Sequence, residues 1–191
     1  DQCVDPILIS AHVLTKLQSI ISRELSPTDS AVVTIGTINA GTASNVIPSH
    51  VEMSGTVRTV NKNTHDNIFD KIRRIVTGTA ESMGGKAELR FKKGTSPLIC
   101  DSNIVDIIKD SAAEILGHNN LFELKEPSMG GDDFSFYTEK VPGAFFRLGT
   151  ANDNQNSRLS LHNSKIIFDE RSINTGISVL SKTALNYLSS S

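Results

Sequence analysis

Apolar side chains recur at helical spacing in four stretches of the chain, and each stretch predicts an amphipathic helix. The first begins at the capping pair Asp5-Pro6 and extends to about Arg23. The second closes at a Gly-Gly pair, and the third begins after Asp101 and ends at Gly117. Their apolar positions are Ile7, Ala11, Leu14, Leu17 and Ile21; Ile68, Ile72, Ile75, Ala80 and Met83; Ile104, Val105, Ile108, Ala112 and Ile115; and Ile173, Ile177, Leu180, Ala184 and Leu188.

Segments between these helices carry the patterns of short strands. Residues 31–38 are β-branched, residues 51–60 and 87–92 alternate apolar and polar side chains, and residues 144–148 form a shorter apolar run. The first five elements follow the order α-β-β-α-β, which is a split βαβ, ferredoxin-like unit that lacks its first strand. A two-layer α+β sandwich that needs no further strand is the alternative.

The pattern changes after residue 94. Two helices and little strand follow, with a Gly-rich acidic loop at 129–134 and a polar loop at 152–157 that we expect to be mobile. This segment is too small to build a three-layer α/β core, and its apolar helix faces need a sheet that it does not contain. We therefore predict two incomplete domains in an α+β chain, residues 5–94 and 95–191. Because the chain starts at a helix cap without an initiator Met, we expect it to be a piece of a longer protein.

Composition excludes several classes of function. The 191 residues include 19 Lys and Arg against 21 Asp and Glu, a net charge of −2, and no basic run, so we expect no nucleic-acid partner. No apolar stretch approaches the roughly 20 residues that cross a bilayer, and no signal peptide is recognisable. We expect a cytoplasmic protein without a membrane partner. Two cysteines, Cys3 and Cys100, cannot form a disulfide framework.

Three residues could carry chemistry, although none establishes a function alone. His162 follows a polar loop and is either a surface residue or a metal ligand through one imidazole nitrogen. Asn45 follows a turn, where it suits a local hydrogen bond. Arg58 falls on the polar face of a strand and suits either an ion pair with Glu52 or Glu88 or a bidentate clamp on a substrate carboxylate.

Two further motifs have equally open interpretations. Gly130-Gly131 and the acidic pair that follows form either a simple turn or a loop whose backbone approaches a ligand. Cys100 is either a buried structural thiol or, if a histidine lies beside it, a nucleophile.

Four motifs gain weight from occurring together in one order. They are Asn45-Val46-Ile47-Pro48, Gly55-Thr56-Val57-Arg58-Thr59, Met129-Gly130-Gly131-Asp132-Asp133-Phe134-Ser135-Phe136-Tyr137, and Leu161-His162-Asn163-Ser164 with Phe168-Asp169-Glu170. This set resembles the M20 metallopeptidase/amidohydrolase family over essentially the whole chain. It is most similar to the branch of hippurate hydrolases, N-acyl-amino-acid deacylases, N-acetyl-diaminopimelate deacetylases and auxin-conjugate hydrolases. Relatives often carry Glu at the position of Asp132 and Ser-Pro at Asn163-Ser164, which leaves the substrate open.

The resemblance implies a two-domain enzyme that uses two divalent metals, Zn²⁺ or Mn²⁺. Residues 5–94 match a ferredoxin-like lid and dimerisation domain, and residues 95–191 match the closing segment of an α/β zinc-peptidase-like catalytic domain. The residues carried over are the metal ligand His162, the substrate-binding Asn45 and Arg58, with Arg58 facing the substrate carboxylate, and the pocket-lining Gly130 and Gly131. The remaining metal ligands, the general-base Glu and an oxyanion-binding His precede the start of this chain in the family.

We therefore expect a fragment of a homodimeric amidohydrolase that cleaves N-acyl-amino acids or small peptides by metal-activated water. The fragment holds no catalytic residue of its own, so we expect it to be inactive and to bind metal weakly or not at all. The main alternative is a non-catalytic lid-type module for dimerisation or small-ligand binding. A Cys–His hydrolase that uses Cys100 is a third hypothesis.

Overall fold

The computed structural model describes residues 3–92 and 94–189, and its elements are those of an α+β protein. The chain divides into two compact units. The first contains the residues up to Leu98 together with Glu126–Phe136, and the second contains Ile99–Lys125 together with the residues from Tyr137 onward. The assignment of residues 5–94 to a lid and of 95–191 to a catalytic domain stays a prediction.

Two helices and two strands form the first unit. Helix α1 covers Pro6–Ser19 and continues as a π-helical stretch, Ile20–Glu24; strands β1 and β2 cover Ala31–Ala40 and Val51–Thr59; helix α2 covers Lys62–Ser82. Asp5 caps α1, since its Oδ1 accepts hydrogen bonds from the backbone N–H groups of Ile7 and Leu8 at 2.9 and 3.2 Å. The predicted order of these four elements is confirmed.

Strands β1 and β2 pair as an antiparallel hairpin, and this two-stranded hairpin is the sheet found in the described residues. A bulge between Ile35 and Thr37 shifts the register by one residue. Gly55 lies opposite Ile35, and a Cβ at Gly55 would lie 2.2 Å from the carbonyl oxygen of Thr34. Only glycine fits there without a backbone shift.

One face of the hairpin packs against α1 and α2 to form the core of the first unit. Its buried residues are Val13, Leu17, Ile20, Val33, Ile68, Ile72 and Ile75. The predicted stripe of α2 is confirmed, but the buried face of α1 is rotated from the predicted one. Ser10, Val13 and Leu17 are buried, whereas Ile7 and Ala11 are exposed. Helix α1 carries apolar side chains on more than one face, so packing rather than periodicity selects the buried one.

Polar contacts attach α2 to the segments before it. The Oε2 atom of Glu24 lies 2.6 Å from Nη2 of Arg74 and 3.5 Å from Nζ of Lys71. The hydrogen bond from Arg74 is the main cause that lowers the pKa of Glu24. The hydroxyl of Thr64 donates to Oδ2 of Asp29 at 2.9 Å. These contacts fix the end of the π-helical stretch and the following loop against α2.

The strands predicted at 87–92 and 144–148 are wrong for the described residues, which place neither segment in a sheet. Half-buried and exposed residues still alternate along 87–90 and 144–148, and Leu89 packs against the core. A strand needs a backbone partner as well as alternation. The alternation therefore predicts which side chains of these segments are half-buried, although the segments form no backbone hydrogen-bond ladder with a neighbouring strand.

Helices dominate the second unit. Helix α3 covers Ser102–Leu116, the short helix α4 covers Ser135–Thr138, and helix α5 covers Arg171–Ser189. Two 3₁₀ turns cover His118–Asn120 and Gln155–Arg158. The division between the two units falls within α4. Asp101 caps α3, and Gly117, with φ 78°, ends it as predicted. None of the helices in residues 3–92 and 94–189 has both the length and the apolar composition that crossing a membrane requires.

Helix α5 packs on α3 through its polar face. Nδ2 of Asn186 donates to Oγ of Ser111 at 3.0 Å, Nζ of Lys182 lies 2.6 Å from Oε2 of Glu114, and Val179 is buried. The predicted apolar stripe is instead exposed by 57% to 72% at Ile173, Ile177, Leu180 and Leu188. The helix is amphipathic as predicted, but its neighbour α3 contacts the polar side.

Candidate functional site

Arg58 lies near the end of β2, opposite Val32 of β1, on the exposed face of the hairpin. Among residues 3–92 and 94–189 its guanidinium forms no ion pair. The structure therefore excludes the structural alternative of a pair with Glu52 or Glu88. An exposed, unpaired guanidinium is free to bind a carboxylate in its bidentate geometry.

Asn45 lies at the other end of the hairpin, in the exposed connection between β1 and β2. Between Val51 and Arg58 the strand advances seven residues, about 23 Å at the usual rise of a β-strand. The structure therefore places Asn45 and Arg58 at opposite ends of β2. The family resemblance assigns both residues to substrate, but the sequence gives no sign of this separation.

The Gly130-Gly131 loop belongs to the first unit. Oγ of Ser128 accepts a hydrogen bond from the backbone N–H of Gly130 at 3.2 Å. A Cβ at Gly131 would lie 2.7 Å from Oγ1 of Thr95, so this position leaves little space for a side chain. Oδ1 of Asp132 accepts the backbone N–H of Phe134 at 2.9 Å, shortly before the short helix Ser135–Thr138. The acidic residue therefore stabilises a local turn, while the glycines leave the backbone exposed.

His162 occupies a strained position in the second unit. It has a φ of 70°, the left-handed region that side-chain-bearing residues seldom adopt, and is the one such residue in the described part of the chain. The backbone N–H of Asn163 donates to the carbonyl oxygen of Ser160 at 3.1 Å, which closes a turn with His162 at its third position. This is the geometry of a type II turn, which favours Gly or Asn at that position. The imidazole is exposed.

A second turn follows His162 directly. Oδ1 of Asn163 accepts the backbone N–H of Lys165 at 2.9 Å, and the carbonyl oxygen of Asn163 accepts that of Ile166 at 3.1 Å. Asn163 thus forms hydrogen bonds through its backbone N–H, its carbonyl and its side chain. His162 lies within the first of two consecutive turns, and Asn163 belongs to both.

The polar loop that we expected to be mobile is held by hydrogen bonds instead. Ser157 is buried; its Oγ accepts the backbone N–H of Asn152 at 3.0 Å and donates to the carbonyl of Asn154 at 2.6 Å. The loop also contacts the segment that follows His162, because the backbone N–H of Ile167 donates to the carbonyl oxygen of Asn156 at 3.5 Å.

Cys100 has a structural environment. Its Sγ accepts the backbone N–H of Phe145 at 3.3 Å and lies 3.9 Å from the carbonyl oxygen of the same residue. None of the hydrogen bonds described for its thiol involves a histidine. This geometry favours the structural thiol over the nucleophile.

Metal-ligating side chains do not cluster in the described residues. In residues 3–92 and 94–189 no group of three or more His, Cys, Asp or Glu side chains could hold a metal ion. His162, which the family resemblance marks as a candidate ligand, has an exposed imidazole and lies within a turn closed by a backbone hydrogen bond. The motif singles out His162 as a candidate ligand, which stays a prediction, but it does not reveal the turn formed by Asn163, for which an Asn-Ser pair is a weak signal.

Comparison with known proteins agrees with this set of motifs. Residues 10–186 match the model of peptidase family M20/M25/M40. The chain belongs to this family of hydrolases, as the four motifs predicted.

Three relatives illustrate the range of the family. N-acetylcysteine deacetylase of Bacillus subtilis is 37% identical over 147 residues, which are 77% of this chain and 38% of that protein. Thermostable carboxypeptidase 2 of Saccharolobus solfataricus is 32% identical over 175 residues, 92% of this chain and 44% of that protein. A solved Bacillus subtilis structure, described as a dinuclear metal binding peptidase from the M20 family, has a TM-score of 0.78 and 27% identity, covering 97% of this chain and 47% of the other. The chain thus spans less than half the length of each.

Proposed function

We propose that this chain is part of a metal-dependent amidohydrolase that hydrolyses N-acyl-amino acids. Membership of the M20 family over residues 10–186 is the observation that carries the proposal. One of the relatives named above is an N-acetylcysteine deacetylase and another is a carboxypeptidase. Both names describe cleavage of an amide next to a residue that carries a free carboxylate. A free carboxylate is therefore the substrate feature that we expect the complete protein to recognise.

Arg58 is our candidate for binding that carboxylate. Along its face of β2 the next residues are Thr56, Ser54 and Glu52, so the closest acid in this row lies six residues, or about 20 Å, away. With no anion beside it, the guanidinium can form a charge-assisted, bidentate contact with a ligand. We propose Asn45 as a second substrate contact and Gly130-Gly131 as a loop whose backbone approaches the ligand.

His162 is our candidate for the metal ligand of the chain. A bound Zn²⁺ or Mn²⁺ would lower the pKa of a water molecule and polarise the scissile carbonyl. The imidazole must be neutral to bind through a ring nitrogen, and the turn that contains His162 sets the backbone position from which the side chain extends. Since one ligand cannot hold a catalytic metal, we propose that the chain by itself is inactive and that the complete protein supplies the other ligands.

We further propose that residues 5–94 of the first unit form a ferredoxin-like lid that mediates homodimerisation. The α-β-β-α order and the extended, half-buried segment after α2 support this arrangement. Residues 5–94 would form the lid and residues 95–191 the closing segment of the catalytic domain.

The test is hydrolysis of a substrate panel by the complete protein that contains this chain. We expect release of free amino acid from N-acetyl- and N-benzoyl-amino acids with added Zn²⁺ or Mn²⁺, and loss of activity with a chelator. Peptides with a free carboxyl terminus test the carboxypeptidase alternative within the family. Release from no member of either panel would refute the proposed activity.

A second candidate function is a non-catalytic module that dimerises through its sheet. It is favoured by the two-stranded hairpin, whose outer edges have no partner strand in residues 3–92 and 94–189. A monomer in sedimentation of the purified chain at high concentration rules this candidate out. Because the lid of the proposed amidohydrolase dimerises as well, a dimer is followed by the hydrolysis assay of the complete protein, and activity there favours the amidohydrolase.

A further inference from the structure

Asn163 is the residue around which the His162 segment is organised. Its three hydrogen bonds reach Ser160 on one side and Lys165 and Ile166 on the other. Two of them use backbone atoms, which any residue other than proline provides. The third, from the backbone N–H of Lys165 to Oδ1, depends on the side chain and is an Asx turn.

This side-chain bond matters because His162 sits in an unfavourable backbone conformation. A residue with a Cβ at φ 70° tends to relax toward negative φ unless its surroundings fix it. The first turn fixes His162 through a single backbone hydrogen bond, from Asn163 to Ser160. The Asx turn fixes the position of Asn163. Because Asn163 also closes the turn that contains His162, the Asx turn supports the conformation of the histidine indirectly.

The His162 ring has no such support of its own. Its imidazole is exposed, and no hydrogen bond is described for it within residues 3–92 and 94–189. In metal sites the orientation of a ligand is usually set by a hydrogen bond to its second ring nitrogen. In this chain the backbone conformation of the turn, rather than a hydrogen bond to the ring, orients His162.

We infer that Asn163 is a positioning residue for metal binding: its carboxamide oxygen holds the turn that presents His162 in the left-handed conformation. This inference rests on the proposed role of His162 as a ligand. Asn163 itself touches neither substrate nor metal in this account and acts through the backbone of its neighbour.

The test is the affinity of the complete, metal-free protein for Zn²⁺, measured by competition with a chromophoric chelator. Asn163→Ala removes the Asx turn and should weaken binding about tenfold, the scale found for residues that orient a ligand. Asn163→Gln keeps the amide but is too long to close the turn, so it should match Asn163→Ala. Asn163→Ser can close the corresponding turn through its hydroxyl without adding charge and should restore affinity to within about threefold.

Lys165→Ala is the matched control. It shortens the neighbouring side chain but keeps the backbone N–H that Asn163 accepts, so affinity should stay at the wild-type value. Wild-type affinity in Asn163→Ala, or an Asn163→Ser variant as weak as Asn163→Ala, would overturn the positioning role. His162→Ala separates the two proposals: if it binds Zn²⁺ like the wild type, the assignment of His162 as a ligand fails as well.

Discussion

The guanidinium of Arg171 forms a bidentate contact with the carboxylate of Asp169, two positions earlier in the sequence. Its Nη2 lies 2.6 Å from Oδ2 and its Nε lies 3.0 Å from Oδ1. The backbone N–H of Arg171 also donates to Oδ1, at 3.0 Å. The backbone N–H of Asp169 donates to the carbonyl oxygen of Thr150 at 3.0 Å. Asp169 thus joins the start of α5 to the segment that leads into the 152–157 loop.

These contacts predict how stability depends on pH. The hydrogen bonds from Arg171 are the main cause that holds the pKa of Asp169 well below its ordinary value of 3.8. A carboxylate with a lowered folded-state pKa stabilises the fold fully above its unfolded-state pKa, and this contribution is lost as the pH falls below it. In urea unfolding of the complete protein, Asp169→Asn should lower the midpoint at neutral pH, and the difference from wild type should shrink below about pH 4.

Asp153→Asn is the control for this experiment, because Asp153 is exposed in the same loop and outside the carboxylate contacts. Its unfolding midpoint should follow the wild type at every pH. A difference between Asp169→Asn and wild type that stays constant between pH 7 and pH 2 would mean that the charge of Asp169 is irrelevant.

Replacing Arg58 tests the proposed carboxylate contact. Hydrogen bonds to charged groups contribute about 1.5–3 kcal/mol, so Arg58→Ala should lower kcat/KM for N-acyl-amino acids roughly 10- to 100-fold. A substrate whose carboxylate is replaced by an amide should be cleaved equally by both forms, because it cannot accept the bidentate contact.

Arg90→Ala removes the same charge from another exposed position of the first unit and should leave kcat/KM unchanged. If Arg58→Ala and Arg90→Ala weaken activity equally, long-range charge rather than direct binding explains the effect.

The backbone strain at His162 is measurable without metal. His162→Gly and His162→Ala both remove the imidazole, but only glycine adopts φ 70° at no steric cost. In the presence of chelator, the Gly variant of the complete protein should be more stable than the Ala variant by about 1 kcal/mol. At Ser181, an exposed position within α5, the order should reverse, since Ala is the better helix former. Equal stability of the two His162 variants would mean that the turn relaxes freely.

Two glycines of the hairpin provide a paired test of the fold. A Cβ at Gly55 meets the carbonyl oxygen of Thr34 at 2.2 Å, whereas a Cβ at Gly36 meets nothing within 4 Å. Gly55→Ala should destabilise the protein by about 1–3 kcal/mol or more, as overpacking does. Gly36→Ala should be neutral or slightly stabilising. Thermal unfolding of the two variants checks this, and a Gly55→Ala variant as stable as Gly36→Ala contradicts the register of the hairpin.

Local signals predicted the helices of this chain well. Asp5 and Asp101 cap α1 and α3, and Gly117 ends α3, because these residues act on the backbone within a few positions of themselves. The packing face of α1 was predicted only in part, since Leu17 is buried but Ile7 and Ala11 are exposed, whereas the exposed apolar stripe of α5 agrees with the expectation that its segment lacks a sheet for such a face. Periodicity shows that a helix has an apolar face, but the neighbours that choose the contact face are distant in sequence.

The candidate site shows the same limit. The motif around His162 marks the residue, but its left-handed backbone and the bonds of Asn163 depend on three-dimensional turns. Likewise, the sequence separation of Asn45 and Arg58 does not reveal that the length of β2 lies between them. The prediction of a strand at 87–92 was wrong because alternation describes burial and does not supply a backbone hydrogen-bonding partner.

The most direct test of the account is the metal-dependent hydrolysis of an N-acyl-amino acid by the complete protein and its His162→Ala variant. The account predicts that the wild type releases the free amino acid only with Zn²⁺ or Mn²⁺, and that His162→Ala loses activity together with bound metal in elemental analysis. Undiminished hydrolysis by His162→Ala, or hydrolysis by the wild type that resists complete removal of metal, would contradict it.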